Sequence, residues 1–451
     1  MKTVSLSVTE EAMTFTNMAD RYLPRQVTIT FDPNQSIGAN LERLRDQLVG
    51  QDIDAFVLVN PLTYPFSDTV VGLNHRRIDI GLALMNMLNV PVVAEPTVAK
   101  LGLAEAVAAK REYASWHLDY YGQYAGVRNR GQEAMLTVGN GFYGLRGAYV
   151  EAQTDADNYP GFYVAGGFDR STTVIHGKQV VNEDLVNLPN PQALSFSVDH
   201  GARFTIQKRD IQDVYRSLDL RTGQLHTTML VALGTGHQLL VESFKVADFD
   251  DYHRLGLRYR LTPLNFAGTI QVYAGIDGQV ENANVARYAQ LNGKHLKVEG
   301  TSSHQNVAVL AGTFSQRQIS FGIASRLLTS DAKAQAGLTT ATAPARIEQT
   351  LSFNVVPHRT LTVDKLVTLY TSRETTGDVA QAADAGLEGA DFGTIAKHAA
   401  AHYHQVYADG DVRVKSDLTS QKLLRVNLFH LSVAGAALAD PALDASVGAR
   451  G

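Results

Sequence analysis

Two histidines one helical turn apart are the first side chains suited to chemistry. "HAAAHYH" places His398 and His402 at i, i+4. On a helix that puts both imidazoles on one face, a spacing that zinc sites use. The zinc-protease pattern carries a glutamate after the first histidine; here that position is Ala399 and no third ligand follows. The pair therefore reads as part of a solvated helix, and no metal is expected. "DFDDYH" gathers Asp248, Asp250, Asp251 and His253. It lacks the ligand spacing of a calcium loop and reads as a charged loop at a strand end. "IDGQVEN" sets Asp277 four residues before Glu281, a candidate catalytic carboxylate pair. Asp277–Gly278 is also a hairpin-turn signal. Asp32 follows the apolar run "ITF" at a place where some α/β enzymes hold a nucleophile. Its aspartate companion is missing, which favours a turn or a helix cap.

Glycines crowd "LTVGNGFYGLRGAYVEA", residues 136–152, where Gly139, Gly141, Gly144 and Gly147 surround Asn140 and Arg146. Glycine at that density weakens helices and strands alike. A phosphate-cradling loop would need the G-x-x-x-x-G-K-[S/T] pattern and a long helix after it. Neither is present, and Asn140–Gly141 is itself a turn signal, so tight turns are expected. Further on, Tyr159, Phe162, Tyr163 and Phe168 would form a sugar-stacking platform if they lay on the surface. Burial between strands is the commoner fate of such residues. Asn140, Arg146, Tyr159 and Tyr163 are the candidate substrate-binding residues; no catalytic residue is assigned.

The elements that must position these side chains fall into three regions. From Met1 to about Glu112, "QVTITF", "DAFVLV" and "NVPVVAEP" read as short strands. They alternate with the helical spacing of "IGANLERLRDQLVG" and "RRIDIGLALMNMLN", which indicates a small α/β unit. From Tyr113 to Glu374 many short alternating segments, such as "HTTMLVAL" and "IEQTLSFNVV", are punctuated by Gly, Asn, Asp and Pro. Strands at this frequency without helices between them predict a large antiparallel β-sandwich. From Thr375 onward the chain reads as helical: a linker to residue 415, then a helix from 416. That last helix carries Leu423, Leu424, Val426, Leu428, Phe429, Leu431 and Val433 on every side, the mark of a buried helix.

Composition sets outer limits. The chain has 451 residues, enough for two or three domains, and its hydrophobic content of 45% supplies a large core. With no cysteine, disulfides and thiolate chemistry are excluded. A net charge of −5 without a Lys/Arg run argues against nucleic acid as a partner. The N-terminus lacks a signal-peptide core and no apolar run is long enough to span a bilayer, so the expectation is a cytoplasmic protein without a membrane partner.

Several stretches taken together resemble glycoside hydrolase family 65. They are "EAMLTVGNGFYGLRGAYVEA", "NYPGFYVAGGFDR", "NEDLVNLPN", "YRSLDLRTGQL", "TPLNFAGTIQVYAGIDGQVEN", "RYAQL" and "QKLLRVNLFHLSVAGA…SVGARG". The resemblance implies a mainly β fold: a galactose-mutarotase-like super-sandwich over 113–374, preceded by the α/β unit 1–112. It further implies a helical linker over 375–415 and, over 416–451, the first helix of an (α/α) barrel. In that family the glycine-rich stretch is a scaffold motif. The activity implied is phosphorolysis, or in some members hydrolysis, of α-linked glucosyl disaccharides. It needs no cofactor, and inorganic phosphate is the co-substrate. The family's general acid lies in the barrel, beyond the residues that match, so the chain is expected to be a fragment that is inactive alone. The alternatives are a non-catalytic carbohydrate-binding module and a dimerisation domain, with a homodimer as the assembly. The chain departs from the family at Gln132, where a basic residue is common. It departs again in the linker, where His402, Tyr403 and Tyr407 stand in place of tryptophans.

Overall fold

Strict alternation makes the first strand: in Thr3–Val8, Val4, Leu6 and Val8 are buried while Thr3, Ser5 and Ser7 are half-buried. This computed structural model describes residues 1–16, 26–35, 37–48, 50, 52–62, 68–73, 76–122, 129–206, 210–283, 290–414 and 418–435. The start of "RYAQL" and all of "SVGARG" lie outside them. The chain divides into two compact units. The first is Met1–Tyr124 with Gln212–Ser217 and Val412–Val426; the second is Ala125–Ile211, Leu218–Asp411 and Asn427–Gly451.

In the first unit, Thr3–Val8 pairs antiparallel with Ala12–Thr16 and parallel with Ala55–Leu58. Gln26–Thr30 and Val92–Ala94 complete the two edges of this mixed sheet. Helices Ile37–Leu48 and Ile80–Leu88 close its core, where Leu41, Leu44 and Leu84 meet Leu6, Phe15 and Phe56. The helical expectation for "RRIDIGLALMNMLN" is half right. Arg76–Asp79 is a strand paired with Val70–Leu73, and the helix begins only after it. Asp79 caps that helix by accepting the Leu82 N–H at 3.0 Å, satisfying an orphan donor of the first turn. Glu95–Leu101 and Leu103–Ala114 are helices that the apolar pattern did not announce. Val107 and Ala106 of the second pack on Ala55 and Val93. Asp32 takes the turn role: its carboxylate accepts the Asn34 N–H at 2.9 Å.

The second unit is the sandwich. One antiparallel sheet runs in the order Leu296–His304, Val307–Phe314, Ser320–Leu328, Leu361–Thr371, Arg254–Pro263, Gln238–Ala247, Gln224–Ala232. A smaller one runs Leu194–Val198, Gly268–Asp277, Arg346–Val355, Thr339–Ala343. It packs across Val307–Phe314 and that strand's neighbours. Ile270, Val272, Ile276, Ile347, Leu351 and Phe353 form its buried face. Helices Val379–Ala385 and Phe392–Gly410 lie on the large sheet, burying Ala383, Phe392, Ile395 and Ala399 against Val246, Val307 and Leu366. Asp378 and Asp391 cap their N-termini. In the final helix, Leu418–Ala434, Val426, Phe429 and Val433 are buried whereas Leu423, Leu424 and Leu431 are exposed.

The crowded glycines do backbone work. Val138–Gly139 and Tyr143–Leu145 form a tight antiparallel pair. At the turn between them Gly141 adopts φ 87°, a left-handed conformation that side chains resist. Gly147 serves close approach: a Cβ there would lie 2.5 Å from the Leu136 carbonyl oxygen. Gly147→Ala should destabilise the protein by about 1–3 kcal/mol through overpacking against backbone, read as a lowered midpoint in urea unfolding.

Candidate functional site

Arg146 is buried, and its guanidinium donates to the carbonyls of Tyr159 at 3.1 Å and Arg130 at 2.7 Å. It also lies 3.6 Å from the fully buried Glu133 carboxylate. Glu133 in turn accepts from the Tyr159 N–H at 2.9 Å and the Asn129 amide at 3.1 Å. Tyr159 and Tyr163 belong to one buried cluster. Burial pushes the Tyr163 hydroxyl well above its ordinary pKa, helped by its contact with Tyr159. The structure therefore brings Arg146, Tyr159 and Tyr163 together as interior packing. Asn140 lies apart from them, its amide donating to the carbonyls of Asp248 at 2.7 Å and Tyr252 at 2.8 Å. The aromatic platform is not at the surface: Tyr159, Phe162 and Tyr163 are buried and Phe168 is half-buried. Flanking strands shut these rings in.

The histidine pair separates. His398 bridges Asp248 at 2.8 Å and Asp250 at 3.2 Å, which draws "DFDDYH" onto the helix. His402 bonds the Ser432 hydroxyl at 2.9 Å and stacks on Phe249; burial lowers its pKa. Asp277 and Glu281 each have a partner of their own. Asp277 caps the Gln279 N–H at 2.9 Å, while the exposed Glu281 faces Lys294 at 3.4 Å.

A cavity of about 220 Å³ lies on the outer face of the smaller sheet. Alternation builds it. The same period that buries Val272 and Ile276 turns Tyr273, Gly275 and Asp277 outward, and register sets Gly275 beside Glu348 and Asp277 beside Arg346. Ser195 stands beside Tyr273. Residues 150–154, 203–205 and 279–280, with Pro160 and Asn190, supply the walls. The Arg203 guanidinium grips both Glu348 oxygens, at 2.9 and 2.5 Å, and lies 3.9 Å over the Tyr273 ring. Arg346 adds a contact of 3.3 Å to Glu348. Both Glu348 oxygens thus accept charge-assisted hydrogen bonds from guanidinium groups. Glu151, buried in the wall, accepts from the Tyr259 hydroxyl at 2.7 Å.

Beneath the floor, Lys365 is fully buried and donates to the carbonyls of Gly275 at 2.6 Å and Ala193 at 3.3 Å. Burial lowers its pKa to about 7, against the opposing charge of Glu348. Of the cavity's polar groups only Asp277 stood out in the sequence. Arg203, Tyr273, Arg346 and Glu348 were missed. For Tyr273, Arg346 and Glu348 the signal was polar residues at alternate positions in "VYAGID" and "RIE".

Residues 121–406 match the family model described as "Glycosyl hydrolase family 65, N-terminal domain". Trehalose 6-phosphate phosphorylase of Lactococcus lactis is 28% identical over 344 residues, covering 74% of this chain and 42% of that protein. Kojibiose phosphorylase of Caldanaerobacter subterraneus is 27% identical over 331 residues, covering 70% and 41%. Among solved structures, a putative kojibiose phosphorylase from the human microbiome superposes with a TM-score of 0.62 at 13% identity, covering 71% of this chain and 42% of that one. The chain thus spans well under half the length of these relatives.

Two outcomes follow from the buried charges. Arg146→Ala should cost about 3–5 kcal/mol, because it strands the Glu133 carboxylate without its cation; urea unfolding of the variant reads this. Lys365 binds its proton less tightly when folded than when unfolded. The stability of the wild type relative to Lys365→Met should therefore rise with pH above about 7, towards the unfolded lysine value. The slope is at most about 1.4 kcal/mol per pH unit. Below pH 7 the difference should be flat, since both states then hold the proton; unfolding midpoints across the range measure it.

Proposed function

Because the chain belongs to glycoside hydrolase family 65, we propose that it forms the sandwich-bearing, non-catalytic part of a cytoplasmic enzyme that cleaves α-linked glucosyl disaccharides with inorganic phosphate. The observation that carries this reading is the match of residues 121–406 to the family's N-terminal domain, joined to relatives named as phosphorylases of trehalose 6-phosphate and kojibiose. In such a reaction a carboxylic acid gives its proton to the glycosidic oxygen. The bond from that oxygen to the anomeric carbon breaks, and a phosphate oxygen bonds the carbon from the opposite face.

Two groups are required, one acidic and one nucleophilic, poised across one sugar ring. The carboxylates of the cavity have other partners: Glu348 is held by two arginines, Asp277 accepts from the Gln279 N–H and Glu151 from the Tyr259 hydroxyl. In this reading the sandwich acts as support. No described helix is long and apolar enough to cross a membrane.

The chain incubated with phosphate and trehalose, kojibiose, maltose, nigerose or trehalose 6-phosphate should yield no glucose 1-phosphate above a protein-free blank. Product above that blank would overturn the supporting role. Grafted in place of the matching domain of a kojibiose phosphorylase, residues 121–406 should sustain phosphate-dependent cleavage. A folded chimera without activity would count against membership in such an enzyme.

A further inference from the structure

The outer-face cavity is a feature that a purely supporting sandwich does not require. Its size limits what it holds. Its volume is about 220 Å³. It falls below the ~300 Å³ at which pockets for drug-sized ligands begin. The space is on the scale of a single six-membered ring.

Charge limits the ligand further. Three carboxylates, Glu151, Asp277 and Glu348, face two guanidiniums, Arg203 and Arg346, which leaves one excess negative charge. Both guanidiniums contact the single Glu348 carboxylate, and Glu151 and Asp277 add two further negative charges. An anion such as phosphate would meet net repulsion. Hydrogen-bonding capacity nevertheless remains. Arg203 has five N–H donors and uses two on Glu348. Asn190, 5% exposed and lining the cavity, accepts from the Gln192 N–H through its side-chain oxygen, while its NH2 group has no protein partner among the described residues. Asp277 Oδ2 likewise keeps acceptor capacity. Donors and acceptors at close quarters, in a lining whose net charge disfavours anions, match adjacent hydroxyl groups, which both donate and accept.

We propose that this cavity is a non-catalytic binding site for one neutral pyranose unit, a free hexose or the terminal ring of an α-glucoside. The inference stands on the cavity alone and survives failure of the phosphorylase reading. Arg203 and Asn190 donate to ring hydroxyls, Asp277 accepts from them, and Gly275 leaves the floor open.

Calorimetric titration of the whole chain with D-glucose, with methyl α-D-glucopyranoside and, separately, with inorganic phosphate tests this. The expected result is millimolar binding of the two sugars and no heat from phosphate. Arg203→Met should weaken sugar binding roughly tenfold by removing charged donors. Gly275→Val should block it by filling the floor, where a new Cβ meets nothing nearer than 3.5 Å. Thermal unfolding shows which variants keep the fold, and loss of binding in either folded variant supports the site. No sugar binding by the wild type, unchanged binding in both folded variants, or tighter binding of phosphate than of glucose would overturn it.

Discussion

The buried pair of Arg146 and Glu133 is the constraint around which the sandwich's first segment is arranged. Both charges are out of water, 3% and 0% exposed. Taking two ions out of water costs several kcal/mol each, so the pair persists only if every remaining donor and acceptor is satisfied. The chain folds back to meet that requirement. Arg130 and Tyr159 turn carbonyls to the guanidinium, while Asn129 and the Tyr159 N–H reach the carboxylate. Such tight wrapping leaves no space for side chains where backbone crosses backbone. A Cβ on Gly161 would sit 2.7 Å from Arg146 Cδ.

That closure reaches the cavity. Pro160 follows directly on Tyr159, and residues 150–154 follow the glycine run; both belong to the cavity walls. On the other side, Lys365 ties the sandwich interior to the floor through the carbonyls of Ala193 and Gly275. The smaller sheet is thus held from both faces. Its inner face is apolar and packs on the larger sheet; its outer face is polar and concave. A sheet that only closed a core would place dispersed, solvated residues outward. Here they converge, with Arg203 clamped between Glu348 and the Tyr273 ring.

Family membership gives this architecture a setting without assigning the cavity a task. The relatives named as phosphorylases are more than twice the length of the region they share with this chain, and the fold likeness to a putative kojibiose phosphorylase covers the same portion. A rigid sandwich suits support, since strands buried on one face and bonded along both edges deform little. A polar pocket on its free face is compatible with that role.

Much of the fold was legible along the chain. Alternation in "HTTMLVAL" announced the strand Gln224–Ala232, and the glycines around Asn140 announced turns. Where local signals compete, the reading failed. "RRID" joined to an apolar helix looked continuous with it, yet hydrogen bonding to Val70–Leu73 made it a strand. The pairing of His398 with Asp248 and the burial of Tyr159 and Tyr163 needed neighbours far along the chain. Local periodicity and family motifs, which depend on residues a few positions apart, determined the class of fold and the family. The cavity was decided by register between strands distant in sequence. Ser195, Tyr273 and Glu348 share one face only because antiparallel pairing across those separations is set by the burial of the opposite face.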